Sequence, residues 1–120
     1  MPWRVLTSLL ALGVTPVMAG TSHLDGEYRP LGSGWDCAEI GAPGGAVSLR
    51  DGRFRGIEST CHITATVNVR DMDAVVGDFL CGTGTDVWTE RRILMPAEDG
   101  GLILLADGRV LELERCPASE

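Results

Sequence analysis

The chain has 120 residues, with ten arginines, no lysine, seventeen acidic residues and four cysteines. We expect residues 1–19 to be an export signal, which leaves nine arginines against seventeen acidic residues, a net charge of −8, in residues 20–120. This negative surplus opposes nucleic-acid binding, because such affinity comes from basic side chains that neutralise phosphates. The absence of lysine excludes Schiff-base chemistry and a phosphate-loop lysine.

The N-terminal segment has the organisation of a secretory signal peptide. Arg4 precedes a mostly apolar run over residues 5–14, Pro16 follows it, and small Ala19 ends the segment. The run is shorter than the roughly 20 apolar residues that span a bilayer. We therefore expect cleavage after Ala19, no membrane span in the mature chain, and a periplasmic or extracellular location.

After the signal, the sequence predicts a single all-β domain over residues 20–120. Short apolar-rich stretches are separated at even spacing by turns rich in glycine and aspartate, and no convincing helical stripe occurs. A first strand ends at Pro30, and Gly-rich loops follow around Trp35. The stretch 36–40 is either a strand or a single helical turn. Further strands are expected at residues 46–50, 53–58, 63–70, 74–81, 86–95, 102–106 and 109–115.

Two of these strand pairs are predicted hairpins on Asp-Gly turns, at Asp51-Gly52 and Asp107-Gly108. The first turn pairs Leu49 with Phe54, and the second pairs Leu102 with Leu113 and Leu104 with Leu111. The outer face of the first hairpin then carries arginines and should be wet.

Alternation of apolar and polar residues predicts the faces of two further strands. In the strand 63–70 we expect Ile63, Ala65, Val67 and Val69 to face the core. Alternation is poor in the strand 86–95, so we expect it to lie half in a core and half at a rim. Its two faces are Val87, Thr89, Arg91, Ile93 and Met95, and Trp88, Glu90, Arg92 and Leu94. Seven to eight antiparallel strands suggest a small meander barrel or a compact sandwich. Side chains should fill a barrel of this size, so no large cavity is expected.

The four cysteines, Cys37, Cys61, Cys81 and Cys116, predict two disulfides in an exported protein. Their gaps lack the close Cys or His pairs of zinc sites, so no metal is expected. Each Asp-Gly-Arg hairpin has one cysteine before it and one after its second strand. This internal similarity favours the pairing Cys37–Cys61 and Cys81–Cys116, although strand parity in a simple meander opposes it.

No catalytic constellation stands out, and no cofactor is expected. Asp71, Asp73 and Asp78 do not match a calcium loop, since Val75 and Val76 occupy positions that need an oxygen ligand and glycine. His62 adjoins a cysteine expected to be oxidised, and no Gly-x-Ser-x-Gly elbow exists. The strand carboxylates Glu58, Glu90, Glu112 and Glu114 could form an acid and base pair only in the unspecific way that any acidic β protein allows.

Three aromatic residues, Tyr28, Trp35 and Trp88, are the candidate binding residues. Each tryptophan either covers a disulfide or closes a barrel end, as buried aromatic side chains commonly do. Alternatively these residues are exposed anchors beside the Gly-rich loops, since Trp and Tyr dominate interface energetics.

Several stretches of the chain resemble small exported bacterial disulfide proteins of unknown function. They are Trp35-Asp36-Cys37, Arg50-Asp51-Gly52-Arg53-Phe54 with Gly56-Ile57-Glu58 and Cys61, Val69-Arg70-Asp71-Met72-Asp73, and Glu114-Arg115-Cys116. In build, the chain is also similar to disulfide-bonded periplasmic β-barrel lysozyme inhibitors, but it lacks their Ser-Gly-Ser-Gly-x-x-Tyr loop. The resemblance implies no catalytic residue.

These observations favour an exported, non-catalytic binding or inhibitor-like module whose partner is an exported or envelope protein. The alternative is a structural or accessory envelope protein. A small hydrolase that uses carboxylates or His62 is the third hypothesis.

Overall fold

The computed structural model describes residues 20–117, so the expected signal segment lies outside the described residues. The described chain is all-β, with a one-turn 3-10 helix at Ser22–Leu24. None of its helical structure is long and apolar enough to cross a membrane. The nine strands are β1 (Gly26–Pro30), β2 (Asp36–Ile40), β3 (Gly45–Arg50), β4 (Arg53–Gly56), β5 (Ser59–Asn68), β6 (Val75–Gly82), β7 (Val87–Pro96), β8 (Leu102–Ala106) and β9 (Arg109–Arg115).

Eight of the strands form a closed antiparallel barrel, which decides between the barrel and the sandwich. Strands β3 to β9 pair in chain order, and β1 closes the ring by pairing with both β9 and β3. The ninth strand, β2, adds to β3 in parallel outside this ring. The stretch 36–40 is therefore a strand and not a helical turn.

Both predicted hairpins are confirmed, with the expected pairs. Asp51 and Gly52 have φ values of 54° and 75°, as a two-residue turn with positive φ at both positions requires. Leu49 pairs with Phe54 in the first hairpin. In the second hairpin, Leu102 pairs with Leu113 and Leu104 with Leu111.

The predicted faces of β5 are wrong beyond residue 63, because the strand contains a bulge. Ile63 pairs with Phe79 and Ala65 with Asp78, so one extra residue of β5 lies between two consecutive partners. A bulge of one residue exchanges the two faces of the strand that follows it. As a result Val67, expected in the core, is 64% exposed on the outer surface.

The barrel has one closed end, which lies near the β3–β4, β5–β6 and β7–β8 turns. Leu24, in the one-turn helix that precedes β1, is 2% exposed and belongs to the core cluster. Tyr28 is fully buried below it and donates a 2.5 Å hydrogen bond to the Leu24 carbonyl oxygen. Leu24 and Tyr28 therefore seal this end of the barrel.

Two disulfides are present, but the favoured pairing Cys37–Cys61 and Cys81–Cys116 is wrong. The bonds are Cys37–Cys116 and Cys61–Cys81, and no free cysteine lies among residues 20–117. The bond between β5 and β6 forms because Cys61 and Cys81 are directly paired positions of the ladder. Closure of the barrel places β9 beside β1, where the Cys116 N–H donates to the Glu27 carbonyl oxygen, and Cys37 of the added strand β2 reaches Cys116 there.

Candidate binding site at the open end of the barrel

The other end of the barrel, near the β4–β5, β6–β7 and β8–β9 turns, is open. A cavity of about 420 Å³ lies there, within the roughly 300–1,000 Å³ of small-molecule sites. Its wall is mainly apolar and comes from strands β3, β4, β8 and β9 and from the β4–β5 turn. The lining residues are Val47, Phe54, Gly56, Ile57, Ser59, Arg92, Leu104, Ala106, Arg109, Val110 and Leu111. The expectation that side chains fill the interior thus holds for the closed end, and a modest cavity remains at the open one.

Alternation along the strands explains which side chains reach this cavity. The inward positions of β7 continue from buried Leu94 to Arg92, Glu90 and Trp88, because successive side chains point to opposite faces. Arg92 pairs with Gly77 and Glu90 with Phe79 across the β6–β7 ladder. The sequence did not indicate which of the two faces of β7 is buried; the face with Arg92 and Glu90 enters the barrel, and it brings an ion pair into the interior.

Arg92 and Glu90 form this ion pair just inside the open end. The Arg92 Nε atom donates to the Glu90 Oε1 atom at 2.5 Å, and a second Arg92 nitrogen contacts the same oxygen. Their side chains are only 15% and 23% exposed. The guanidinium also lies 4.6 Å from the ring centre of Phe79 and 5.5 Å from that of Phe54. Arg92 is thus held by a carboxylate and two aromatic rings, as a partly buried charge requires.

A second arginine, Arg109, stands at the rim with its charge only weakly held. Its Nη2 atom is 3.8 Å from the Glu90 Oε2 atom, and its side chain is 71% exposed. Two guanidinium groups therefore share one carboxylate at the mouth, which leaves one positive charge beside an apolar wall. Such a combination suits an apolar molecule with one anionic group.

The three aromatic residues expected to bind a partner lie in different environments. Tyr28 is fully buried at the closed end, where Arg115 donates to its hydroxyl at 2.9 Å. Burial raises the pKa of the Tyr28 hydroxyl, although nearby Arg115 partly opposes this. Trp88 is 36% exposed near the open end and pairs with Cys81 of the buried disulfide, and Trp35 is 39% exposed in the loop before β2. Trp88 is therefore the one of the three that lies on the inward face near the open end.

The groups considered for chemistry do not converge. Asp71, Asp73 and Asp78 each lie near a different basic side chain, which is Arg70, His23 or Arg91 respectively. The Arg91 side chain donates to Asp78, and this bond lowers the pKa of the Asp78 carboxyl. Across residues 20–117, no group of three or more His, Cys, Asp or Glu side chains is placed to hold a metal ion.

Of the four candidate carboxylates, Glu90 lies on the inward face of the barrel, and Glu112 and Glu114 lie on the outward face of β9. Glu58, expected on a strand, lies in the β4–β5 turn. Glu90 lies inside the open end, and Glu114 accepts hydrogen bonds from Arg29 at 2.6 Å and from the Gly32 N–H at 3.1 Å. These bonds lower the pKa of the Glu114 carboxyl, and the Gly32 N–H is the larger cause. His62 is exposed and pairs with Leu80, on the face of β5 opposite to that of Cys61.

The residues that form the mouth were not among the candidates drawn from the sequence. Arg109 and Leu111 lie on β9, whose register with β8 follows from the Asp107-Gly108 turn, whereas no register was predicted for β7, which carries Arg92. The signal that could have found the two arginines is a charged residue in phase with core leucines. Arg92 is two residues from Leu94, and Arg109 is two residues from Leu111. No protein-family model, no curated protein and no solved structure matches this chain significantly.

Proposed function

We propose that this protein is an exported, non-catalytic binding module whose open barrel end takes a small amphipathic molecule with one anionic group. The observation that carries the proposal is the position of Arg109 and Arg92 at the mouth of an apolar cavity of about 420 Å³. Eight-stranded barrels are wide enough to hold one small ligand when side chains do not fill them.

The apolar part of the ligand would contact Val47, Phe54, Ile57 and Leu111, which line one cavity. Burial of such a ligand gains free energy in proportion to the apolar area removed from water. Arg92 is already satisfied by Glu90, so the anionic group would meet Arg109, whose side chain is mostly exposed. The rim arginine would thus select for an anionic group, and the wall for an apolar body.

The two disulfides support the exported location in this proposal, since disulfides persist in oxidising compartments. Both disulfides use cysteines distant in sequence, with separations of 79 and 20 residues. Expression of the full chain in a bacterial host, followed by mass measurement of the periplasmic product, tests this part. We expect a chain that begins at Gly20 and has no free thiol. Full-length protein with free thiols in the cytosol would overturn it.

The binding proposal is tested with two probes, dodecanoate and dodecanol, measured by displacement of the fluorescent dye 1-anilinonaphthalene-8-sulfonate. The variant Leu111→Glu puts a charge into the mouth, and Val87→Glu puts the same charge at a position that is 77% exposed outside it. We expect Leu111→Glu to weaken dodecanoate binding about tenfold or more. Leu111 is 43% exposed in the free protein, and a bound ligand would cover the new carboxylate with its apolar chain, which is costly for an unpaired charge. Val87→Glu should bind as the unchanged protein does.

The role of the rim charge is tested with Arg109→Gln. We expect this variant to lose the preference for dodecanoate over dodecanol and to keep its affinity for dodecanol. Absence of dodecanoate binding by the unchanged protein, or equal losses in Leu111→Glu and Val87→Glu, contradicts the proposal.

A further inference from the structure

We propose a second binding site, on the outer surface of the barrel, for a small soluble molecule that carries a phosphate group. It consists of Arg50, Arg53, Arg55 and His62, which we call the arginine patch. A cavity of about 440 Å³ lies over these four side chains, and the same cavity is lined by Glu27 and Asp51. It is separate from the barrel mouth, because Phe54 points inward between Arg53 and Arg55.

The arginines of the patch differ from the other arginines of the described chain in having no partner. Arg29, Arg70, Arg91, Arg92 and Arg109 each lie within 4 Å of a carboxylate, and Arg115 donates to two backbone carbonyls and to Tyr28. Among residues 20–117, Arg50, Arg53 and Arg55 have no ion pair and no side-chain hydrogen bond. In a strongly acidic protein, three such cations on one small surface are therefore available to a ligand.

The register places these cations where they oppose one another. Arg50 pairs directly with Arg53 across the β3–β4 hairpin, and Arg53 pairs directly with His62 across β4–β5. The like charges of Arg50 and Arg53, at directly opposite positions, destabilise the β-sheet. A bound anion would remove this repulsion.

The donor set favours phosphate over a single carboxylate. Three guanidinium groups and one imidazole reach one cavity, and each guanidinium offers a planar set of N–H donors. A carboxylate has two oxygens to accept these bonds, whereas a phosphate monoester has three terminal oxygens, and arginine binds phosphate in a bidentate manner.

The charge of the whole chain favours a small molecule over an anionic membrane. The mature chain carries a net charge of −8, which opposes approach to a large anionic surface. A small ion in the cavity experiences mainly its nearest charges, because the Debye length is about 8 Å at physiological ionic strength. Within the cavity the three arginines outnumber the two carboxylates of Glu27 and Asp51.

The test is an NMR titration of the isotope-labelled mature protein with inorganic phosphate at constant pH and about 0.15 M ionic strength. We expect saturable shifts of the backbone signals of residues 50–55 and of His62, and we expect salt to weaken the binding. The variant Arg53→Gln should weaken phosphate binding about tenfold, the loss expected for one charge-assisted hydrogen bond. Its thermal midpoint should be unchanged or higher, because the substitution removes a like-charge contact.

The matched control is Arg70→Gln, the same substitution at a residue that is 94% exposed in the β5–β6 turn. It should bind phosphate as the unchanged protein does. The proposal is overturned if phosphate causes no saturable shift, if Arg70→Gln and Arg53→Gln lose affinity equally, or if vesicles of phosphatidylglycerol bind the patch and inorganic phosphate does not. The cavity over the arginine patch and the cavity at the barrel mouth share no lining residue. Failure of dodecanoate binding at the mouth would therefore leave the phosphate test unaffected.

Discussion

The guanidinium carbon of Arg92 lies 4.6 Å from the ring centre of Phe79, inside the barrel and next to the carboxylate of Glu90. This contact places a charged side chain directly on the apolar core, with the cavity of the open end beside it. Arg92 thus packs against the core and also lines the cavity of the candidate site.

Removal of Glu90 should expose how strongly the core depends on this pair. We expect Glu90→Gln to lower the free energy of unfolding by about 1–3 kcal/mol, since it leaves the partly buried Arg92 without its carboxylate. Urea denaturation measures the change. Glu112→Gln is the control, because Glu112 is exposed on the outward face of β9. The double variant Glu90→Leu with Arg92→Met should recover most of the loss, because apolar side chains can replace a buried pair. Equal stabilities of Glu90→Gln and Glu112→Gln would contradict the role of the pair.

The two disulfides should differ in their response to mild reductant. Cys61 and Cys81 are each 1% exposed, whereas Cys37 and Cys116 are only partly buried. Because exchange requires access of a thiolate to a sulfur atom, we expect dithiothreitol to open Cys37–Cys116 first. Alkylation at increasing times, followed by peptide mass spectrometry, gives the order. Simultaneous reduction of both bonds, or initial reduction of Cys61–Cys81, is the contrary result.

Acid should weaken the fold in part through Glu114. The Gly32 N–H and Arg29 lower the pKa of its carboxyl in the folded state, so its stabilising contribution is complete above the unfolded value and is lost as pH falls through the folded value. We expect the free energy of unfolding to fall between about pH 5 and pH 3, and Glu114→Gln to have a shallower slope over that range. Arg29→Gln should remove part of the same slope. Identical slopes in all three proteins would show that Glu114 makes no such contribution.

The bulge in β5 predicts opposite tolerance at two valines. Val67 is 64% exposed, although the alternation of β5 predicted that it faces the core, and Val75 of β6 is 1% exposed. We expect Val67→Thr to change the free energy of unfolding by less than about 0.5 kcal/mol. Val75→Thr should lower it by about 1–3 kcal/mol, because a hydroxyl enters the core. Denaturant titration of both variants is the measurement, and a larger loss at Val67 would place the bulge elsewhere.

Local features of the sequence were sufficient to predict the all-β fold class and two hairpins. The turn Asp51-Gly52 depends on the φ preferences of adjacent residues, and the Leu102–Leu113 pair follows directly from the turn at Asp107-Gly108. The even set of cysteines likewise indicated two disulfides. Each of these predictions needs only residues that are close in the chain or a simple count.

The closure of the barrel, the bulge and the disulfide partners were decided by the tertiary structure alone. Tyr28 of β1 pairs with both Val47 and Arg115, and no local pattern indicates which distant strands will meet. The bulge after Ile63 exchanges the inward and outward faces of β5, although the sequence of this strand alternates regularly. Pairing with β6 and burial of Phe79 determine which side chains face the core, and the periodicity of β5 does not. The mouth of the barrel also depends on tertiary structure. Arg92 is an interior residue because the closed barrel buries the face of β7 that Arg92 shares with Leu94.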